Sequence, residues 1–169
     1  LVFFAGKRNL EIGELLDIKG ENPFKVRAYH NAARALAGTD RDIGDLVATG
    51  DLRTIKGIGE GIAEKIAELV RTGHLKYYEE LKSTLPSGIT NLLAIPGLGP
   101  KKVKKVCDAL GISTVGELEY ACNENRLVEL EGFGARSQEK ILEGIAYLKK
   151  SQGQFHIDFA LQNAGALLE

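Results

Sequence analysis

One short pattern constrains this chain more than any other: a glycine, an apolar residue and a second glycine. It occurs three times, as Gly57-Ile58-Gly59, Gly97-Leu98-Gly99 and Gly132-Phe133-Gly134. Each copy follows a short apolar run and precedes a segment whose apolar residues have helical spacing. Glycine reaches left-handed backbone angles at little steric cost and allows another backbone to come close. The pattern therefore predicts three tight turns of the same kind, each followed by a helix.

A turn of this kind has a specific chemical use. Its central apolar side chain can point back between the two flanking helices, while the backbone amides face outward at a helix N-terminus. Such a terminus binds anions, and successive amides can form a small anion-binding nest. The natural ligand is a phosphate oxygen, bound without regard to base. We therefore interpret the pattern as a helix-hairpin-helix repeat that binds the nucleic-acid backbone.

Apolar anchors flank the first two copies at matching positions. They are Leu52, Ile55, Ile58, Ala63, Ile66 and Leu69 in the first, and Leu92, Ile95, Leu98, Val103, Val106 and Leu110 in the second. In the third copy Gln138 stands where these anchors continue, and Glu129 and Glu131 lead into the turn. We expect two DNA-binding hairpins and a third that mainly closes its domain. The alternative is that the turns only join helices of a bundle or contact other proteins.

Composition narrows the class of protein. A chain of 169 residues with 44% hydrophobic content can hold one domain or two small ones. The cysteines, Cys107 and Cys122, lack metal or redox spacing, so we interpret them as small apolar residues and expect a reducing cytoplasm. No run of eighteen apolar residues occurs, so we expect no membrane partner.

Charge gives a mixed indication. The net charge of −1 argues against nucleic acid, because many nucleic-acid-binding domains are basic. Hairpin amides carry no formal charge, however, and Lys101, Lys102, Lys104 and Lys105 lie within five residues after the second copy. At helical spacing these lysines span more than one face, so only some can meet a phosphate at once. The alternative is a solvated helix face.

The spacing of apolar residues is helical almost throughout, which predicts an all-α fold of two small helical domains built around helix-hairpin-helix motifs. Leu85-Pro86-Ser87-Gly88 is the candidate boundary. We expect one domain at residues 1–85, a second at 86–150 with the second and third hairpins, and a terminal helix at 151–169. The segment 151–154 (SQGQ) is expected to break the preceding helix.

Local signals predict several helix ends. Asn22-Pro23 is typical of an N-cap followed by proline in the first turn, and Gly38 is expected to end that helix. A short helix is expected over residues 42–49 with Gly50 closing it, and the second helix of the first hairpin should end at Gly73. The opening residues 1–6 (LVFFAG) are expected to be the buried start of a helix that continues through Leu15.

Three segments together resemble the N-terminal half of family X DNA polymerases, most closely the bacterial and archaeal members. They are residues 21–29 (ENPFKVRAY), 55–66 (IKGIGEGIAEKI) and 95–102 (IPGLGPKK). The resemblance extends from about Asn9 to the end of the chain, and the motifs are specific in combination.

The resemblance implies a function. In that family an N-terminal eight-kilodalton domain grips the 5′-phosphate side of gapped duplex, and the next subdomain holds the other side with a second hairpin. A palm domain then transfers nucleotides with two divalent magnesium ions on a carboxylate triad. This chain stops before a palm could begin, and we interpret the closely spaced Asp40 and Asp42 as helix-capping residues. Because the chain contains no methionine, we expect that it does not begin at a natural start.

Site residues follow by position in the family motifs. Lys65 is similar to the lysine that attacks an abasic sugar in 5′-deoxyribose-phosphate lyase chemistry; the alternative is a solvated helix lysine. Lys25 and Tyr29 correspond to groups around the 5′-phosphate, and Arg53 matches another basic position. The phosphate-binding set then also includes Gly57, Gly59, Gly97, Gly99, Lys101 and Lys102. Three residues depart from the family pattern: Gly61 replaces a phosphate-binding lysine, and Phe24 and His30 differ from the eukaryotic pocket.

The family's hairpins also hold a monovalent sodium or potassium ion between turn carbonyls and a DNA phosphate. By position, the ligands would be the carbonyls of Arg53, Ile55 and Ile58 in the first hairpin and of Leu93, Ile95 and Leu98 in the second. The resemblance thus predicts a monomeric, sequence-tolerant grip on gapped or nicked duplex in base-excision repair, with no other cofactor in this chain. The alternative is a non-catalytic hairpin scaffold that joins DNA or proteins.

Overall fold

The computed structural model describes the backbone of residues 1–165 and the side chains of residues 1–152. Within this part every regular element is a helix, which confirms the all-α prediction. The helices are α1 (Val2–Lys19), α2 (Pro23–Ala37), α3 (Ile43–Thr49), a 3₁₀ helix (Asp51–Thr54), α4 (Glu60–Thr72), α5 (Lys76–Ser83), α6 (Ile89–Leu93), α7 (Pro100–Leu110), α8 (Val115–Asn123) and α9 (Ala135–Gly165). Each helix within residues 1–165 is too short or too polar to cross a lipid bilayer.

The chain divides into two compact units between Ser87 and Gly88. In the first unit α1 packs along α2 and also contacts α4 and α5, while α3 contacts α4. Its fully buried side chains are Ile12, Leu15, Leu16, Leu36, Ile43 and Ile66. In the second unit α6 contacts α7, and α8 contacts α9. Its fully buried side chains include Ile89, Leu92, Ile95, Leu118, Leu127 and Ile141.

The helix ends of the first unit lie where the local sequence signals indicated. The Asn22 side chain accepts a hydrogen bond from the Phe24 amide at 2.9 Å, with Pro23 in the first turn of α2, and Gly38 follows its last residue. Asp42 caps α3 by accepting from the Asp45 amide at 3.0 Å, so its interpretation as a capping residue is confirmed. Gly50 and Gly73 close α3 and α4 in left-handed conformations, as predicted.

The opening segment is helical as predicted, but its predicted burial is wrong. Leu1 and Phe3 are 67% and 83% exposed, and Ala5 is the first residue of α1 in the core. A helix advances about 100° per residue, so the adjacent apolar residues of this segment cannot share one face. The face directed at the core is instead continued by Ile12, Leu15 and Leu16.

The expected helix break at residues 151–154 is also wrong, because α9 continues without interruption to Gly165. Gly153 costs a helix interior only about 1 kcal/mol relative to alanine, and the segment contains no proline. The final helix expected from residue 155 is therefore part of α9 as far as Gly165, and residues 166–169 lie outside the described residues.

The cysteines are free thiols, and they differ in burial. Cys122 lies in the core of the second unit, where burial raises its pKa to about 11. Cys107 is only half-buried. The interpretation as a small apolar core residue is therefore confirmed for Cys122 and holds only in part for Cys107.

Candidate nucleic-acid interface

The three glycine turns have the same backbone geometry. Their first glycines take positive φ angles, 103° at Gly57, 86° at Gly97 and 87° at Gly132. In each turn the central residue's amide donates to the carbonyl three positions earlier: Ile58 to Ile55 at 3.1 Å, Leu98 to Ile95 at 3.1 Å and Phe133 to Leu130 at 2.9 Å. The prediction of one turn made three times is confirmed.

Each turn is held by the burial of its central side chain and by a hydrogen bond to the helix that follows. The central side chains of Ile58, Leu98 and Phe133 are no more than 5% exposed. The carbonyl of the second glycine then accepts the hydrogen bond that starts the following helix. These bonds join Ala63 to Gly59 at 2.9 Å, Val103 to Gly99 at 2.9 Å and Gln138 to Gly134 at 3.1 Å. The turn and the helix that follows it therefore form one rigid piece.

The outer edge of the turns is open. A Cβ atom built on Gly59, Gly97 or Gly99 would have no neighbour within 4 Å among the described residues. The first amides of a helix have no carbonyl partner within the helix, and they carry its positive dipole end. A Cβ atom built on Gly57 would instead meet Ala35 and the Asn31 carbonyl of α2, at 3.6 Å and 3.7 Å. The turn before α7 is therefore open at both glycines, whereas the turn before α4 is open at Gly59 only.

The elements before the turns differ from one copy to the next. The 3₁₀ helix Asp51–Thr54 precedes the first turn, and the five-residue α6 precedes the second. Before the third turn α8 ends at Asn123, and residues 124–134 form turns instead of a helix. The expected helix-hairpin-helix form therefore lacks its first helix directly before the third turn.

Charged groups at the first hairpin neutralise one another in part. The Arg53 guanidinium lies 3.5 Å from the carboxylate of Glu60, the first residue of α4. Both side chains are mostly exposed, and an exposed ion pair stabilises a fold by less than about 1 kcal/mol. Arg53 is therefore beside the turn and able to exchange its partner for a phosphate.

The lysines after the second turn divide into two kinds. Lys104 pairs with Asp108 at 3.2 Å, and Lys105 pairs with Glu131 at 3.3 Å. The Lys102 ammonium instead lies 5.6 Å from the centre of the Phe133 ring, and Lys101 forms no ion pair within the described residues. Lys101 and Lys102 thus retain their charge next to the open turn, and these are the two that the family motif indicated.

The third turn is preceded by an acidic residue and followed by a buried polar one. Glu131 is 95% exposed and holds Lys105, which places a carboxylate beside the turn. Gln138 is buried at the position where the first two copies have an apolar anchor, and its side-chain amide donates to the Asn125 side chain at 2.8 Å. Asn125 takes a φ of 58°, so this bond ties a left-handed turn to α9.

A second group of candidate residues meets around one tyrosine in the first unit. The ammonium groups of Lys25 and Lys65 lie 5.6 Å and 4.9 Å from the centre of the Tyr77 ring. The Tyr29 ring stacks on Tyr77 with centroids 6.2 Å apart and planes inclined by 8°. We call these four residues the Tyr77 cluster. Lys25, Tyr29 and Lys65 were predicted as site residues, whereas Tyr77 was missed.

The environment of the Tyr77 cluster sets its protonation. Hydrogen bonding to Tyr77 raises the pKa of Lys25, which keeps that lysine charged. Burial raises the pKa of Tyr29, so its hydroxyl remains a hydrogen-bond donor. The Lys65 ammonium donates to the Gly61 carbonyl at 3.1 Å. It also lines an open depression of about 320 Å³, together with Glu64, Glu68, Lys76, Tyr77 and Glu80.

The carbonyls expected to hold a monovalent cation are neutral oxygen donors at the turns. Those of Ile55 and Ile95 each accept one turn hydrogen bond, whereas those of Ile58 and Leu98 accept none from the described residues. Carbonyl oxygens of this kind suit sodium or potassium. No group of three or more His, Cys, Asp or Glu side chains in the described part is arranged to hold a metal ion.

Comparisons with known proteins agree with this geometry. Residues 10–75 match the helix-hairpin-helix domain family, and residues 89–146 match the SAM-like helix-hairpin-helix tandem family. The chain is 36% identical over 94% of its length to the DNA polymerase/3′-5′ exonuclease PolX of Bacillus subtilis. Two Synechococcus DNA ligases are 41% and 40% identical over 30% and 31% of the chain. The chain spans 27% of PolX and 7% and 8% of the ligases.

The two family matches define a protein with a helix-hairpin-helix domain in each unit. The match with PolX, which covers nearly the whole chain, confirms the resemblance to family X DNA polymerases that the sequence motifs indicated.

The two glycines of the second turn should respond differently to alanine. Gly97→Ala places a Cβ atom at positive φ and should lower the free energy of unfolding by about 1–2 kcal/mol. Gly99→Ala is the matched control, because Gly99 has a φ of −77° and open space around it, so its change should stay within about 0.5 kcal/mol. Urea denaturation measures both variants, and equal losses would contradict the assigned geometry.

Proposed function

We propose that this chain is a sequence-tolerant DNA-binding region that grips gapped or nicked duplex through its backbone phosphates during DNA repair. The observation that carries the proposal is the hydrogen-bonded turn before α4 and before α7, which is open to solvent at Gly59 in the first case and at Gly97 and Gly99 in the second. A site made of main-chain amides binds phosphate without reading bases. The printed names of the relatives, a DNA polymerase and two DNA ligases, support DNA as the partner.

Each unit contributes one grip in this proposal. The first unit offers the turn at Gly57 with Arg53 beside it, together with the Tyr77 cluster for a terminal 5′-phosphate. The second unit offers the turn at Gly97 with Lys101 and Lys102. The third turn, with Glu131 at its entrance, closes the second unit and does not bind DNA.

Direct binding measurements test the proposal. A gapped duplex with a 5′-phosphate should bind more tightly than an intact duplex of the same length, and both affinities should fall steeply with salt. Fluorescence anisotropy at two salt concentrations measures this. Equal affinity for the two duplexes would remove the gap-recognition claim, and no binding to either would favour the protein-scaffold alternative.

The lysines of α7 provide a second prediction. Lys101→Gln should weaken duplex binding and reduce the slope of log affinity against log salt by about one, because one phosphate contact is lost. Lys104→Gln is the matched control, since Lys104 already pairs with Asp108 on the same helix. Salt titrations of both variants measure the slopes, and indistinguishable slopes would contradict the assignment of Lys101.

We also propose that the turn carbonyls bind a monovalent cation when DNA is bound. The carbonyls of Ile58 and Leu98, which accept no hydrogen bond from the described residues, would face the ion with those of Arg53, Ile55, Leu93 and Ile95. The ion would share its charge between these oxygens and a DNA phosphate. We further propose that the chain binds DNA as a monomer in the cytoplasm, and that magnesium belongs to a palm domain outside this sequence.

A lyase activity is the second candidate function. Lys65 is half-buried beside Tyr77 and forms no ion pair within the described residues, so its amine is available in the open depression. An unprotonated amine adds to the aldehyde carbon of an abasic sugar, and loss of water then gives a Schiff base.

Borohydride reduction of the Schiff base to a stable amine tests the lyase candidate. The wild-type chain should form a covalent adduct with DNA carrying a 5′-deoxyribose phosphate, and Lys65→Ala should abolish that adduct. Lys76→Ala is the matched control, because Lys76 lines the same depression and pairs with Glu80 at 3.6 Å. An adduct undiminished in Lys65→Ala would remove the role assigned to Lys65.

A further inference from the structure

One aromatic ring holds both lysines of the Tyr77 cluster. Lys25 comes from α2, Lys65 from α4 and Tyr77 from α5, so the contact joins three helices of the first unit. Both ammonium groups lie within 6 Å of the same ring centre, at the distance of a cation–π interaction. The parallel Tyr29 ring, only 4% exposed, packs against Tyr77 and limits its movement.

This arrangement holds the two lysines without pairing them with a neutralising group on the ring. A carboxylate that held an ammonium group would neutralise it, whereas the face of an aromatic ring attracts the cation through its quadrupole and carries no net charge. Lys65 has no carboxylate within ion-pair distance in the described part of the chain. Lys25 has only Glu21 at 3.8 Å. Two like charges are thus brought to one ring with most of their hydrogen-bonding capacity unused.

We propose that Tyr77 is a positioning residue that presents Lys25 and Lys65 together to the 5′-phosphate of a DNA gap. The role rests on the proposed function and adds to it the residue that orients the two cations. Because the ring already holds the two ammonium groups close together, less side-chain entropy is lost when they bind a dianionic terminal phosphate. Tyr77 itself contributes the ring and need not touch the phosphate.

The experiment compares gapped duplexes that carry a 5′-phosphate or a 5′-hydroxyl, with the full 169-residue chain. The ratio of the two affinities isolates the terminal phosphate from all other contacts. In Tyr77→Leu this ratio should fall by about tenfold, as expected for the loss of two cation–π contacts. Tyr77→Phe removes the hydroxyl that also bonds Lys25 but keeps the ring, and it should retain most of the ratio.

Controls separate positioning from folding. Tyr120→Leu removes an exposed tyrosine in the second unit and should leave the ratio unchanged. Thermal unfolding by circular dichroism establishes which variants are folded. A merely structural role of Tyr77 would lower stability and bind both duplexes less well without changing their ratio, and that result would overturn the proposal. A ratio lost equally in Tyr77→Phe would overturn it as well.

Measurements without DNA distinguish failure of this inference from failure of the proposed function. Protons next to the ammonium groups of Lys25 and Lys65 should show ring-current shifts by NMR that Tyr77→Phe retains. If the wild-type chain has no preference for a 5′-phosphate, gap recognition fails whatever Tyr77 does. If that preference exists but the ring-current shifts are absent, the positioning role of Tyr77 is wrong.

Discussion

Burial of one apolar side chain in each glycine turn is the interaction on which the candidate interface depends. Ile58 and Leu98 are buried, and their amides donate to the carbonyls three positions earlier, so each turn is anchored to the core at its centre. The cost of a left-handed residue is avoided because glycine occupies that position. The backbone geometry of the candidate phosphate site is thus a consequence of core packing, and the basic side chains add charge beside it.

Helix ends set by neighbouring residues could be predicted from the sequence, whereas burial and helix continuity could not. The ends of α2 and α3 were foreseen because Asn22 and Asp42 cap helices through neighbouring amides. The burial of Phe3 was misjudged because a run of apolar residues encircles a helix instead of lining one face. The break at residues 151–154 was misjudged because glycine, serine and glutamine are weak helix breakers compared with proline.

In the candidate site, too, local features could be predicted and contacts between helices could not. The turns were predictable because glycine spacing specifies backbone conformation. The family motifs pointed to Lys25, Tyr29 and Lys65, which the fold brings together around Tyr77, while their roles stay predictions. Tyr77 was missed because its contacts join α5 to α2 and α4, and no spacing along the chain encodes that packing. The pairing of Lys105 with Glu131 was missed for the same reason.

The main-chain amides of the glycine turns act on a phosphate only over a short distance. Attraction between net charges extends over about 8 Å at physiological salt, whereas the field of a few amide dipoles is confined to the first or last turn of a helix. With a net charge of −1, the chain should be drawn to DNA only weakly before contact. The chain would then distinguish DNA structures mainly by how well they fit the turns once the two molecules are in contact. Gapped or bent DNA differs from regular duplex most in the local path of its backbone, which is what such close contacts detect.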